Sequence, residues 1–145
     1  MLLQFKNLVI RNATVKDADL LSSWWNDGKI MAHAGFPNGT GETADEIAAR
    51  IKEDTDEDRR LIIELDKRPI GEMGYGKVGE DTVGIGIKIC DFSEHDKGYG
   101  KILLSMLIFM KNSALESSRS ERIHGETSLE SCNHPLITNC TKKIL

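Results

Sequence analysis

The first apolar run, Leu8-Val9-Ile10-Arg11, is short and β-branched and reads as a strand. Thr14 then offers a hydroxyl at a helix start, with Asp17 three residues on in the manner of a capping box. Val15, Leu20, Leu21 and Trp24 or Trp25 recur at helical spacing, which predicts an amphipathic helix from Val15 to about Trp25. Residues 26–42 hold Gly28, Gly35, Pro37, Asn38, Gly39 and Gly41, a loop composition. Thr43-Ala44-Asp45-Glu46 is a second capping box and opens a helix through Ala48, Ala49 and Ile51 to about Lys52. The acidic run from Glu53 to Asp58 ends it and reads as a solvated turn. Three strands follow, Leu61 to Leu65, Ile70 to Val78 and Thr82 to Cys90. They are separated by the turns Asp66-Lys67-Arg68-Pro69 and Gly79-Glu80-Asp81, spacings that suit antiparallel hairpins. Asp91 to Tyr99 is an irregular connection, and Gly100 to about Ile108 is apolar almost throughout, as a buried helix would be. This order predicts an α+β domain on a mixed, mainly antiparallel sheet flanked by helices.

Composition narrows the class. The chain has 145 residues, 39% hydrophobic and 29% charged, the balance of one soluble domain. A net charge of -4 argues against a general grip on nucleic acid or on an anionic membrane. No apolar run approaches the roughly 18 residues that a membrane span needs. The start, Met-Leu-Leu-Gln-Phe-Lys, turns polar too soon for a signal peptide. Cys90, Cys132 and Cys140 show no CxxC spacing, so neither a disulfide framework nor a metal site is expected, and the compartment expected is the cytoplasm.

The segment that carries chemistry is Thr82 to Ile108. A strand runs into Ser93-Glu94-His95-Asp96-Lys97-Gly98-Tyr99-Gly100-Lys101, and an apolar helix starts at once. The unpaired N–H groups of a helix's first turn and its dipole favour an anion there. Gly98 and Gly100 would allow left-handed dihedrals that aim amides at one point, and Lys97 and Lys101 would add charge. A pyrophosphate-bearing ligand suits such a loop. Two glycines spaced G-x-G are a weak signal alone, and neither a Walker loop nor the third glycine of a dinucleotide site is present.

In its flanking order this segment resembles the acetyl-CoA signature Q/R-x-x-G-x-G/A of the GNAT N-acetyltransferases. His95-Asp96-Lys97-Gly98-Tyr99-Gly100 follows the strand Ile85-Gly86-Ile87-Lys88-Ile89 and precedes Lys101-Ile102-Leu103-Leu104. Both glycines match, and His95 stands where Gln or Arg is usual. Ile10-Arg11-Asn12-Ala13-Thr14 leading to Asp17, and Pro69-Ile70-Gly71-Glu72 opening a hairpin strand, are also similar to the family, so that the resemblance spans about Leu8 to Ile108. It implies an N-acetyltransferase that moves an acetyl group from acetyl-CoA to a primary amine, without a metal. Ile87, Lys88 and Ile89 would pair backbone groups with the pantetheine arm, and His95, Lys97, Gly98, Tyr99, Gly100 and Lys101 would cradle the pyrophosphate.

The general base is left unassigned by these motifs. Where some relatives carry a glutamate before the loop, this chain has Val83 and Gly84. Glu72 is a candidate, although a strand glutamate more commonly faces solvent. His33 reads as a surface loop histidine, Trp24-Trp25 as core plus one rim aromatic, and Cys90 as a small buried residue.

Past Ile108 the resemblance stops. Ser, Thr, Asn and Cys supply 14 of the first 108 residues and 14 of the last 37. Shifted by one base, the codons of Phe109 to Leu115 permit Y-E-K-L-G-F, a segment the family should show. Residues 1–108 are therefore expected to form the acetyltransferase-like domain and 109–145 a non-family tail, an out-of-frame remnant. Loss of the last strands and helix would leave an open sheet edge, impaired turnover and a homodimer or other self-association. Arg122 to Leu129 could add a makeshift strand. The competing reading is a non-catalytic CoA-binding or self-associating module that retains the fold.

Overall fold

The computed structural model describes residues 2–80, 82–118 and 140–143, with 111–118 and 140–143 as backbone alone. Strands β1 (Leu2–Phe5), β2 (Leu8–Asn12), β3 (Arg59–Leu65), β4 (Arg68–Gly79), β5 (Thr82–Ile89) and β6 (Cys140–Lys143) form one sheet in sequence order. Every neighbouring pair is antiparallel. Helices α1 (Ala18–Trp25), α2 (Gly28–Met31) and α3 (Ala44–Lys52) occupy the connection from β2 to β3, and α4 (Tyr99–Ser118) follows β5. The architecture is α+β, as the periodicity predicts.

Alternation along the strands builds two cores, because successive side chains leave a strand on opposite faces. Leu61, Ile63, Met73, Tyr75, Ile85 and Ile87 meet Leu103 and Leu107 of α4 on one face. Ile62 points the other way and joins Ala18, Leu21, Ile47 and Ile51 beneath α1 and α3. Helix α3 starts at its capping box, where the Glu46 Oε2 accepts from the Thr43 N–H at 2.8 Å and the Thr43 hydroxyl accepts from the Glu46 N–H at 3.3 Å. The β3–β4 hairpin turns on Asp66 and Lys67 alone, at φ +51° and +64°, the left-handed pair that matches sheet twist. Arg68 and Pro69 belong to β4 and not to the turn.

Several expectations change. Leu2–Phe5 is an additional edge strand, turned back by Lys6 and Asn7, and its exposed Leu2 and Phe5 carry no burial pattern. The first helix opens as a 3-10 turn, Val15–Asp17, before α1. The glycine-rich loop contains α2 and a second 3-10 turn, Ala32–Ala34. Helix α4 continues past Ile108 to Ser118, since no Gly or Pro interrupts that stretch. It buries Leu103 and Leu107, packs Ile102, Leu104, Met106 and Met110 half-buried beside them, and exposes only Lys101, Ser105 and Phe109 among its described side chains, so it is not buried all round. The outer edge of β5, expected to be open, pairs with β6 from Thr82 to Ile85. Arg122 to Leu129 lies outside the described residues.

Candidate active site

Strand β5 ends where the N–H groups of Cys90 and Asp91 both turn to the Ile70 carbonyl, at 2.8 and 3.0 Å. Asp91 then caps a 3-10 turn, Phe92–Glu94, accepting from the Ser93 hydroxyl at 2.6 Å and its N–H at 2.9 Å. Those bonds, with the Arg68 guanidinium, hold the Asp91 carboxyl down to about 2. Glu94, 7% exposed, gathers three donors: Lys97 Nζ at 2.8 Å, Arg68 Nη2 at 3.0 Å and the Tyr99 hydroxyl at 3.3 Å. Lys97 is the main cause holding the Glu94 carboxyl below its ordinary range, and Glu94 in turn raises Lys97. Lys97 is therefore bound within the loop and does not project freely. Tyr99 opens α4 and is engaged with Glu94, while Lys101 is exposed on the first turn of α4.

Asp96 at φ +60° and Gly98 at φ +78° take the left-handed region just before α4. A Cβ on Gly98 would meet nothing within 4 Å, so the dihedral and not crowding calls for glycine. Gly100 is helical, in the first turn of α4, so the left-handed role expected of both glycines falls to Gly98 alone. His95 folds back against Phe92, ring centroids 5.0 Å apart, and its Nε2–H donates to the Ile89 carbonyl at 2.9 Å.

The same carbonyl marks the edge of the sheet. In an antiparallel ladder alternate residues face alternate neighbours. The Lys88 carbonyl lies against β4, 2.2 Å from where a Cβ on Gly71 would sit. Ile87 and Ile89 consequently face outward. Among the described residues β6 pairs with β5 only from Thr82 to Ile85, and the outer backbone groups of Ile87 and the Ile89 N–H meet no strand.

Across the strand, Lys88 lies opposite Glu72. Lys88 Nζ donates to Glu72 Oε1 at 2.6 Å and to Met31 Sδ at 3.0 Å. Trp25 Nε1 donates to the same Oε1 at 2.7 Å. The Glu72 and Lys88 side chains are 13% and 19% exposed, so Glu72 does not face bulk solvent as a strand glutamate commonly does. No local sequence signal links Trp25 to Glu72, which lie 47 residues apart. Trp24 and Trp25 both pack half-buried on the α1–α3 core, so the expected split into one core and one rim aromatic does not appear.

Along the same face two cross-strand pairs, Gly74 with Gly86 and Gly76 with Gly84, floor a groove of about 260 Å³. Nothing lies within 4 Å of a Cβ on Gly86, and the Asp58 carboxylate rests about 3.1 Å from one on Gly76. Arg59 and Arg60 line the groove and are paired with Asp56 and Asp54. His33 is exposed in its 3-10 turn. Cys90 is buried, and that burial, seconded by Glu72, pushes its thiol well up. Among the described residues no cluster of three His, Cys, Asp or Glu could hold a metal, and no helix is long and apolar enough to cross a membrane.

A family model described as "Acetyltransferase (GNAT) domain" matches residues 7–128. Among solved structures, a GNAT-family acetyltransferase from Bacillus anthracis superposes with a TM-score of 0.62 at 18% identity, over 80% of this chain and 69% of that one. A GNAT-family acetyltransferase from Streptococcus pneumoniae gives 0.59 at 17% identity, over 94% and 99%. A possible acetyltransferase from Clostridium difficile 630 gives 0.50 at 12% identity, over 88% and 100%. At such identities the likeness is one of fold. No curated protein matches the sequence.

Proposed function

Because the chain belongs to the GNAT acetyltransferase family, we propose that it transfers the acetyl group of acetyl-CoA to a primary amine. The observation that carries this reading is the half-open edge of β5, which runs directly into the Gly98 turn and the first turn of α4. An extended amide-bearing arm can add to such an edge as a short strand. The outward groups available are those of Ile87 and the Ile89 N–H, because Lys88 turns its carbonyl to β4 and His95 takes that of Ile89. A pyrophosphate would then meet the amides around Gly98 to Lys101, with Lys101 exposed beside it. His95 and the Glu94–Lys97–Tyr99 cluster hold that loop in shape.

In the reaction the amine nitrogen attacks the thioester carbonyl, a C–N bond forms, and the C–S bond breaks with its electron pair on sulfur. A backbone N–H of the β5 edge polarises the carbonyl. The glycine-floored groove supports a slender acceptor lying along the face of β4 and β5, since a backbone floor admits close approach. The compartment we propose is the cytoplasm. We also propose that the β5 edge beyond Ile85, which meets no strand among the described residues, and the exposed Phe109 of α4 support self-association.

Calorimetry with acetyl-CoA and with CoA, beside thiol release over tyramine, spermidine, kanamycin and a peptide with a free N-terminus, tests the reading. Binding with release supports it. Binding without release selects the non-catalytic CoA-binding module, and neither removes the acetyl-CoA chemistry altogether.

A further inference from the structure

Two donors from separate helical and strand elements converge on a single oxygen of Glu72. Trp25 Nε1 arrives from the end of α1 at 2.7 Å, and Lys88 Nζ from β5 at 2.6 Å, both on Oε1. Lys88 is itself steadied by Met31 Sδ of α2 at 3.0 Å. No donor among the described residues reaches Oε2. The carboxylate is thus anchored at one end, largely out of solvent, and keeps the lone pairs of its second oxygen.

The position of this carboxylate suits proton transfer at the proposed site. Glu72 lies on the face of β4 that carries Gly74, and one strand, about 5 Å, in from the half-open edge of β5. The groove floor begins two residues along the same face, about 7 Å away. Each carboxylate oxygen has two lone pairs, so the two donors satisfy Oε1 and hold it in place while Oε2 keeps its full capacity to accept a proton.

We propose that Glu72 is the catalytic base of the acetyl transfer through Oε2, and that Trp25 and Lys88 are the positioning residues that hold it by Oε1. This rests on the acetyl-CoA reading above. A protonated acceptor first gives one proton to Glu72 Oε2, which passes it to water; as the freed amine nitrogen bonds to the acetyl carbon, a second proton leaves it for Oε2. The C–S bond breaks, the thiolate takes a proton from water, and Glu72 returns its proton to water. Atoms and charge balance with no further reactant.

The test compares two nucleophiles on the full chain: spermidine, whose amines are protonated at neutral pH, and hydroxylamine, which is not and needs little help from a base. Thiol release from acetyl-CoA is followed for wild type, Glu72→Gln, Trp25→Phe, Lys88→Met and Lys88→Arg, with thermal unfolding of each. Glu72→Gln should lower kcat with spermidine about 100-fold, the low end of general-base effects, and with hydroxylamine less than about 5-fold. Trp25→Phe and Lys88→Met should show the same selective loss at about 10-fold, in kcat and not in the KM for acetyl-CoA, and Lys88→Arg should recover most of what Lys88→Met loses. Equal losses with both nucleophiles, or losses that follow the drop in Tm, would make the cluster a fastener and overturn the inference alone. Wild type that binds no acetyl-CoA and releases no thiol with either nucleophile overturns the acetyl-CoA reading and the inference with it.

Discussion

The Arg11 guanidinium meets the Asp17 carboxylate through two parallel bonds, Nη1 to Oδ2 and Nη2 to Oδ1, both 2.8 Å. Arg11 Nε also reaches Glu64 Oε1 on β3 at 2.8 Å, and Asp17 Oδ2 accepts from the Thr14 N–H at 2.7 Å. One forked side chain therefore ties β2, the turn before α1, and β3. Burial alone would raise the Asp17 carboxyl, but the Arg11 and Thr14 bonds outweigh it and hold the group below its ordinary range.

Removing Arg11 strands a largely buried carboxylate. Arg11→Met should lower stability by about 2 kcal/mol, less than for a fully buried pair because Arg11 stays 27% exposed. The pH dependence follows from the lowered value. Asp17 stabilises the fold fully above the ordinary carboxylate range, and that contribution fades as pH falls through its lower folded value. Urea titrations at pH 7 and pH 3 should show a large difference between wild type and Arg11→Met at the first and a smaller one at the second. Equal differences at both would mean that the fork carries no linked proton.

Parts of this arrangement are legible in sequence because they are local. Thr14 with Asp17 and Thr43 with Glu46 are three residues apart, and the hairpin turn at Asp66 and Lys67 is set by its own dihedrals. The strand and helix flanking Gly98 are likewise local, which makes the G-x-G loop readable. What stays hidden depends on contacts distant in the chain or on charge already spent within the loop. Glu72 looks like a solvent-facing strand residue until Trp25 and Lys88 are brought to it across α1 and β5. Lys97 looks like a free cation until Glu94 binds it, and Gly100 looks left-handed until α4 is seen to start at Tyr99. Leu2–Phe5 shows no periodicity, because an exposed edge strand is held by backbone pairing and needs no apolar face.

Two strand glycines should respond in opposite ways. A Cβ at Gly71 would sit 2.2 Å from the Lys88 carbonyl oxygen and 2.9 Å from the Ile89 Cα, and main chain has little room to yield. Gly71→Ala should cost about 2 kcal/mol or more in stability and disturb the β5 edge, lowering acetyl-CoA affinity as well. Gly86→Ala meets nothing within 4 Å and should leave Tm within a degree or two. Its methyl group would instead raise the groove floor, so the KM for the amine should rise several-fold while that for acetyl-CoA is unchanged. Steady-state kinetics beside thermal melts check both; a Gly86→Ala enzyme with an unaltered amine KM places the acceptor elsewhere.

His95 holds the junction between the open edge and the phosphate loop. Its Nε2–H satisfies the Ile89 carbonyl, and its ring rests on Phe92. His95→Ala should release that carbonyl and loosen the approach to Gly98, weakening acetyl-CoA binding by about 5- to 10-fold, the worth of one hydrogen bond. A pantetheine fragment without the phosphates should lose nearly as much as whole acetyl-CoA if the junction acts on the edge. Calorimetry with both ligands decides whether the effect sits at the edge or only in the loop.

Strand β6 covers the outer side of β5 from Thr82 to Ile85, where Val83 lies opposite Lys142 and Gly84 opposite Thr141. Removing residues 140–145 should expose a row of backbone donors and acceptors next to the stretch at Ile87 that meets no strand among the described residues. An uncovered edge of that length is a template for a second copy of the chain. Self-association should therefore tighten at least tenfold, the equivalent of about 1.4 kcal/mol or one to two net backbone hydrogen bonds. Sedimentation velocity over a concentration series measures this. Val83→Lys in the shortened chain, which sets a charge on the exposed edge, should reverse the gain. A shortened chain that associates no more strongly than the full one would mean that β6 guards no edge, and that any self-association uses the apolar surface of α4 at Phe109 instead.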